Sequence, residues 1–194
     1  MTSRQTPILT IGLMMMLIGL HFMVADKTQL YFSATDIARG ETWRLITGHF
    51  MHADTQHLFW NCLGLLVLGT LIERYSRFIL WAALCAGIAS VSVLLLTPFS
   101  QLDYYCGLSG VLNTLLLLAL WLEWRRTRSW LVILIGCGSI AKVIIELTSG
   151  SSIVTHISWP PYAWSHLAGL AGGLIVISGL PVPFSRHPAV VDNQ

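Results

Sequence analysis

The sequence has little charge. Only 10% of its 194 residues are Asp, Glu, Lys or Arg, and the formal net charge is +2. This excludes a soluble domain with an ordinary polar shell, which contains about 25% charged residues, and it offers no basic surface for nucleic acid. Hydrophobic residues make up 55% of the chain, and the mean hydropathy is +0.69. The composition therefore predicts a protein whose solvent is the lipid bilayer.

Apolar runs long enough to cross a hydrocarbon core of about 30 Å occupy most of the chain. The six predicted segments are 7–25, 57–72, 77–97, 107–124, 129–147 and 162–180. Arg4 precedes segment 1 as in a signal peptide, but the run is long and no small-x-small cleavage pattern follows it, so we expect a retained anchor. The chain, 1–194, is predicted to be one transmembrane domain.

Two of the loops, 98–106 and 148–161, contain no Lys or Arg. Arginine residues instead precede segment 1 and follow segments 2, 4 and 6: Arg4, Arg74, Arg77, Arg125, Arg126, Arg128 and Arg186. Because basic residues concentrate in cytoplasmic loops, this pattern predicts an all-α bundle of six transmembrane helices with both termini in the cytoplasm. The long first loop carries basic and acidic residues on the outer side, and we expect it to lie in the membrane interface.

Polar side chains are rare within the segments, and each one is costly in hydrocarbon and marks a candidate functional site. They form three groups, on segments 2, 4 and 6: His57 with Asn61, Ser109, and His166. Counted from the cytoplasmic boundary, Ser109 and His57 lie roughly 24 Å up and His166 roughly 21 Å up. Three helices are therefore predicted to bring these side chains to one layer near the outer surface.

A serine hydroxyl becomes a useful nucleophile when a neighbouring base removes its proton. This chemistry predicts Ser109 as the nucleophile and His166 as the general base and acid. His57 and Asn61 are four residues apart and share a helix face, so with the Ser109 backbone N–H they could form an oxyanion hole. Since no Asp or Glu is expected near this layer, we predict a dyad, in which Asn113 is the best candidate to hold the imidazole ring.

These residues form motifs that resemble the rhomboid intramembrane serine proteases over nearly the whole chain. The motifs are Gly107-x-Ser109-Gly110 at segment 4, His52-x4-His57-x3-Asn61 at segment 2, and His166-x2-Gly169-x3-Gly173 at segment 6. The Trp43-Arg44 and Glu73-Arg74 pairs are also similar to rhomboid features. The resemblance implies a rhomboid bundle with a water-filled cavity open to the outside, a lateral gate near segment 5, and cleavage of single-span membrane substrates near their outer boundary.

The compact chain with its 106–112 run is most similar to the rhombosortase branch of that family. This resemblance implies substrates that end in a Gly-Gly motif, an apolar helix and a basic tail, and a site open to the periplasm from a bacterial inner membrane. Many bacterial rhomboids have an aromatic residue where this chain has Asn113, so the base must be oriented differently here. The implied partners are substrates and membrane lipids, without nucleic acid or a cofactor.

Other interpretations compete with each prediction. A Gly-x-Ser-Gly run can be a small-residue packing surface, and we interpret Gly169 and Gly173 in this way, as residues that bring segment 6 against segment 4. A rhomboid-like binding protein without catalysis usually lacks the serine or the histidine, and both are present here. A transporter typically has paired internal repeats, of which the sequence gives no convincing sign. A general rhomboid protease with other substrates remains the alternative function.

The remaining polar residues receive structural interpretations. His49 and His52 could join His57 as metal ligands, but the loop offers no obvious fourth ligand, so we predict hydrogen bonding and no metal. Lys142 and Glu146 are one helical turn apart, which favours a mutually neutralising pair; a role in gating or in binding a substrate tail is the alternative. Two cysteines near the predicted active layer would face an oxidising compartment, so they could form a disulfide or remain free: Cys62 and Cys106.

Overall fold

The computed structural model describes residues 6–149 and 162–180, which form a helical bundle. Its elements are α1 (Ile8–Met23), a 3-10 turn (Lys27–Leu30), β1 (Phe32–Ser33), α2 (Ala34–Ala38), α3 (Arg44–Thr47), a 3-10 turn (Gly48–Phe50), α4 (Thr55–Glu73), α5 (Arg77–Leu96), β2 (Tyr104–Tyr105), α6 (Ser109–Thr127), α7 (Trp130–Ser149) and α8 (Ala163–Gly179). Arg4, Arg186 and most of the loop 148–161 lie outside the described residues.

Each of the six predicted segments overlaps one long helix: α1, α4, α5, α6, α7 and α8. Within the described residues, three of these helices are long and apolar enough to cross a membrane, namely α4, α5 and α7, while α1 and α8 are apolar but shorter. Helices satisfy their own backbone hydrogen bonds, which hydrocarbon requires. The count of six crossings and the orientation of the termini remain predictions.

The main hydrophobic core lies among α1, α4, α5 and α6, and α8 packs against α5 and α6. Large aliphatic side chains from four helices are fully buried there, among them Leu17, Leu65, Leu80 and Leu115. By contrast, α7 lies at the edge of the bundle: of its residues, all in the described part of the chain, Val143 and Glu146 alone are buried. Most of the large apolar side chains of α7 are exposed, which suits contact with lipid.

One buried arginine stabilises the conformation of the first loop. The guanidinium of Arg44 donates hydrogen bonds to the carbonyl oxygens of Thr28 (2.7 Å) and Tyr31 (3.0 Å) and to Glu41 Oε2 (2.7 Å). The strand β1 then pairs antiparallel with β2, which places Phe32 opposite Tyr105. Because β2 leads directly into α6, the loop supports the backbone that precedes Ser109.

A buried carboxylate joins α4 to α1. The oxygens of Glu73, whose side chain is 1% exposed, accept hydrogen bonds from Leu9 N (3.0 Å), Thr10 N (2.8 Å) and Thr10 Oγ1 (2.8 Å), and from Arg77 Nε (3.1 Å). Leu9 and Thr10 lie in the first turn of α1, whose N–H groups have no partner within the helix. Glu73 therefore supplies the cap that α1 lacks at Pro7.

Replacing Glu73 with alanine is expected to lower the free energy of unfolding by about 3 kcal/mol, because it leaves buried donors without an acceptor. Unfolding in mixed detergent micelles, followed by circular dichroism, measures the change. The control is Glu123→Ala, which removes a carboxylate paired with Arg126, a side chain 62% exposed, and with the Tyr75 hydroxyl at 3.3 Å. This change should cost about 1 kcal/mol. Equal stability losses in the two variants would contradict the assigned role of Glu73.

Two histidines of the first loop are buried in their neutral form. Desolvation lowers the pKa of His49 from 6.5 to about 4 and that of His52 to about 3, where the neighbouring His57 adds to the effect. His49 Nε2 lies 3.0 Å from Ser92 Oγ on α5, and the His52 ring packs edge-on against His57. Both rings therefore belong to the packed interior below the loop.

These lowered pKa values predict loss of stability in acid. Above pH 6.5 the two rings are neutral in both the folded and the unfolded protein. As the pH falls towards 4, the unfolded chain binds protons that the folded chain does not, so the free energy of unfolding decreases. Each pH unit costs about 1.4 kcal/mol per ring. The double variant His49→Gln/His52→Gln should show a much flatter fall in unfolding free energy between pH 7 and pH 4.5 than the wild type. Parallel curves for the two proteins would refute this prediction.

Candidate active site

Ser109 and His166 meet at one end of the bundle. Ser109 is the first residue of α6, His166 lies in the first turn of α8, and Ser109 Oγ is 3.2 Å from His166 Nε2. The His166 ring is buried, with 5% of the residue exposed, whereas Ser109 is half-buried. The structure thus brings together, from positions 57 residues apart, the hydroxyl and the imidazole that the sequence predicts to react.

Glycines allow α8 to approach α6 this closely. A Cβ atom on Gly169 would lie 1.9 Å from the carbonyl oxygen of Gly110, and one on Gly173 would lie 3.1 Å from Leu117 Cβ. Thr114 Oγ1 donates a hydrogen bond to the Gly169 carbonyl oxygen across the same interface (2.6 Å). The contact that the sequence predicts between segments 6 and 4 is therefore present, and it aligns the first turns of the two helices.

The turn into α6 depends on Gly107. Its φ angle is +120°, and a Cβ atom there would lie 2.5 Å from His57 Cε1. The Gly107 N–H donates to the Gly48 carbonyl oxygen (3.0 Å), and its own carbonyl accepts from the Tyr105 hydroxyl (3.2 Å). A residue without a side chain is thus required for the His57 ring to lie against the backbone that leads to Ser109.

His57 and Asn61 lie on the neighbouring helix, α4. The Asp54 carboxylate caps α4 by accepting from His57 N (2.7 Å), which holds His57 in the first turn. His57 lies near enough to His166 for the rings to interact electrostatically. Asn61 Nδ2 donates to the His57 carbonyl oxygen (2.9 Å), and because a primary amide carries two N–H bonds, one remains for an oxyanion.

The prediction that Asn113 holds the imidazole ring of His166 is wrong. Asn113 Nδ2 donates to the Ser109 carbonyl oxygen of its own helix (2.9 Å), whereas the group on His166 Nδ1 is Glu146 Oε2, at 3.0 Å. The prediction that no carboxyl group lies near this layer fails with it. The sequence pattern predicts Lys142 as the partner of Glu146, and Glu146 Oε1 does contact Lys142 Nζ (2.5 Å), but the second carboxylate oxygen contacts His166.

The cysteines and the loop histidines add no bonded group to the site. Cys62 and Cys106 are both buried and both are free thiols, so the suggested disulfide is absent from the structure. The described residues contain no group of three or more His, Cys, Asp or Glu side chains placed to hold a metal ion. The chemistry open to the arrangement is acyl transfer: a hydroxyl facing an imidazole nitrogen, beside candidate N–H donors.

Comparisons with known proteins point to one family. Residues 39–181 match the family model described as the Rhomboid domain. The chain is 33% identical over 164 residues to the rhomboid protease GluP of Bacillus subtilis (strain 168), an alignment that covers 81% of this chain and 30% of that protein. It is 31% identical over 144 residues to the putative rhomboid protease YdcA of the same organism, covering 72% of this chain and 68% of that protein. The chain thus spans less than a third of the length of GluP.

Proposed function

Because the chain belongs to the rhomboid family, we propose that it is an intramembrane serine protease in which Ser109 attacks the substrate and His166 moves the proton. The observation that carries the proposal is the 3.2 Å approach of Ser109 Oγ to His166 Nε2. This distance suits a hydrogen bond from the hydroxyl to the ring nitrogen, which is the geometry that general-base catalysis requires.

The reaction follows from that contact. The Ser109 hydroxyl gives its proton to His166 Nε2 while Oγ forms a bond to the scissile carbonyl carbon. Collapse of the tetrahedral intermediate breaks the C–N bond, and the proton on Nε2 passes to the leaving amine. Water then enters, and His166 Nε2 takes one of its protons while the water oxygen bonds to the acyl carbon. Collapse of this second tetrahedral intermediate breaks the C–Oγ bond, the product leaves as a carboxylic acid, and the proton on Nε2 returns to Ser109 Oγ.

The tetrahedral intermediate carries negative charge on its oxygen, so it needs donors. The Ser109 N–H at the start of α6 has no acceptor within the helix, and the free amide N–H of Asn61 and the ring of His57 lie on the facing helix. We assign these three groups to the oxyanion hole. Removal of one such donor typically costs about 10²–10³ in kcat.

The substrates are proposed from chemistry and resemblance together. A site whose reacting groups lie at one end of apolar helices suits a peptide bond near a membrane boundary, and the rhombosortase resemblance adds single-span proteins with a C-terminal Gly-Gly motif, apolar helix and basic tail. The proposed location is a bacterial inner membrane, with the site open to the periplasm. A general rhomboid protease and a binding protein without catalysis are the alternatives.

Co-expression with reporters tests the proposal. One reporter carries the Gly-Gly, apolar and basic tail, the other is a generic single-span rhomboid substrate, and products are identified by mass. We expect wild type to cleave the tail, and Ser109→Ala and His166→Ala to lose cleavage. Ser178→Ala is the matched control, because this serine is exposed and lies near the opposite end of α8 from His166. Cleavage of the generic reporter alone contradicts the rhombosortase assignment, and no cleavage by wild type favours the binding protein.

A further inference from the structure

Glu146 lies between two cationic or ionisable groups in the bundle. Its Oε2 contacts His166 Nδ1 at 3.0 Å and its Oε1 contacts Lys142 Nζ at 2.5 Å. The Glu146 side chain is 1% exposed, that of His166 is 6% exposed and that of Lys142 is 39% exposed. A continuous series of polar contacts therefore runs from the half-exposed ammonium of Lys142 through Glu146 and His166 to the Ser109 hydroxyl.

The position of Glu146 on α7 is unusual for a carboxylate that merely neutralises a lysine. A Lys–Glu pair at this spacing could lie on any face of α7 or near its outer end. Glu146 instead occupies one of the two buried positions of α7, while Lys142 is turned towards the exposed side. Burying a carboxylate is costly unless it is paired and hydrogen-bonded, and both of its oxygens here have a partner.

We propose that Glu146 is a positioning residue for His166 and that Lys142 keeps the Glu146 carboxylate ionised. This proposal rests on the proposed function of Ser109 and His166. The carboxylate accepts the Nδ1 proton and so selects the tautomer whose Nε2 lone pair faces Ser109. When Nε2 takes the serine proton, the positive charge on the ring lies beside a negative one. Glu146 itself gains no proton in this step, as in other serine hydrolases with a third group.

The groups that face His166 come from three helices. They are Ser109 from α6, His57 from α4 and Glu146 from α7. Its own helix, Ala163–Gly179, carries no Asp, Glu, Lys or Arg. Glu146 is thus the acidic group that acts directly on the ring among the described residues, and its loss leaves Nδ1 without the acceptor seen in the structure.

Steady-state kinetics on the tail reporter separate positioning from substrate binding. Glu146→Gln keeps the shape but not the charge, and we expect kcat to fall roughly 10²-fold or more while KM changes little, by analogy with the loss seen when a serine protease loses its third carboxylate. Glu146→Asp should keep part of the wild-type kcat, and Lys142→Met should lower kcat roughly tenfold. Glu123→Gln, at the other end of the bundle, is the control and should match wild type.

A second measurement does not depend on turnover. Nitrogen-15 NMR of histidine-labelled protein reports which ring nitrogen carries the proton, and His166→Gln identifies the resonances of that ring. We expect the Nδ1-protonated tautomer in wild type and a mixture in Glu146→Gln. If Glu146→Gln changes neither kcat nor the tautomer, the proposal is overturned. It is also overturned if kcat falls in Glu146→Gln, does not recover in Glu146→Asp, and the tautomer stays as in wild type. If wild type cleaves nothing, the proposed function fails, while the tautomer still tests the contact.

Discussion

Replacing Gly169 with alanine is expected to prevent the bundle from closing and to abolish proteolysis with it. The new Cβ atom would lie 1.9 Å from the Gly110 carbonyl oxygen and 2.9 Å from its carbonyl carbon. Backbone atoms cannot rotate away as the end of a side chain can, so α8 must move off α6. Overpacking commonly costs about 1–3 kcal/mol, and this backbone collision should lie at or above the upper end of that range.

The same movement would separate the two reacting groups. Ser109 is the residue before Gly110 on α6, and His166 lies about one turn before Gly169 on α8. Their hydrogen bond is 3.2 Å long. Even a variant that folds would hold the imidazole too far from the hydroxyl. The variant should therefore lose activity more severely than its remaining folded fraction explains.

Gly138→Ala is the matched control. This glycine lies on α7, where an added Cβ atom meets nothing within 4 Å, and alanine favours helix over glycine by about 1 kcal/mol. We expect wild-type activity and equal or greater stability, measured by unfolding in mixed micelles and by reporter cleavage. A Gly169→Ala protein as stable and active as Gly138→Ala would show that the two helices do not meet as described.

Helix positions were predictable because hydrocarbon leaves the backbone few alternatives. Apolar runs must become helices to satisfy their N–H and C=O groups, and the predicted segment 77–97 accordingly corresponds to α5, Arg77–Leu96. The approach of α8 to α6 was also predictable, since Gly169 and Gly173 on one face leave room for a neighbouring backbone. Polar residues are costly within apolar runs, and this made Ser109 and His166 the candidate reacting pair.

The role of Glu146 could not be obtained in this way. Lipid-facing and bundle-facing surfaces are both apolar, so the sequence of α7 gives little indication of which side faces inward. Lys142 is the nearest opposite charge along the chain and explains one carboxylate oxygen of Glu146, but no sequence pattern indicates a partner for the other oxygen. One signal was available: an acidic residue within a membrane segment almost always faces the interior of the bundle, and His166 was the candidate base there.

The fold of the first loop was equally out of reach. Its Arg44 binds backbone carbonyl oxygens of Thr28 and Tyr31, and such contacts depend on the path of the loop and not on any residue pattern. The same path brings the Gly48 carbonyl oxygen to the Gly107 N–H. The loop therefore contributes to the geometry of the turn before Ser109, although none of its side chains takes part in the proposed reaction.

Replacing Gly107 with alanine should reduce activity by roughly 10²–10³-fold, because it disturbs the proposed oxyanion hole. Two effects combine at this position. The φ angle of +120° is strained for any residue with a side chain, which costs about 1–3 kcal/mol. In addition, the Cβ atom would lie 2.5 Å from His57 Cε1 and 2.7 Å from His57 Nε2, so the imidazole must turn away from Ser109.

Gly40 separates these two effects. It has a similar φ angle of +107°, but a Cβ atom there meets nothing within 4 Å. Gly40→Ala should therefore lose stability through backbone strain alone and keep its turnover number. If kcat on a cleaved reporter falls only in Gly107→Ala, the collision with His57 is responsible, and His57 must be in place for the reaction. Equal kcat in the two variants would remove His57 from the proposed oxyanion hole.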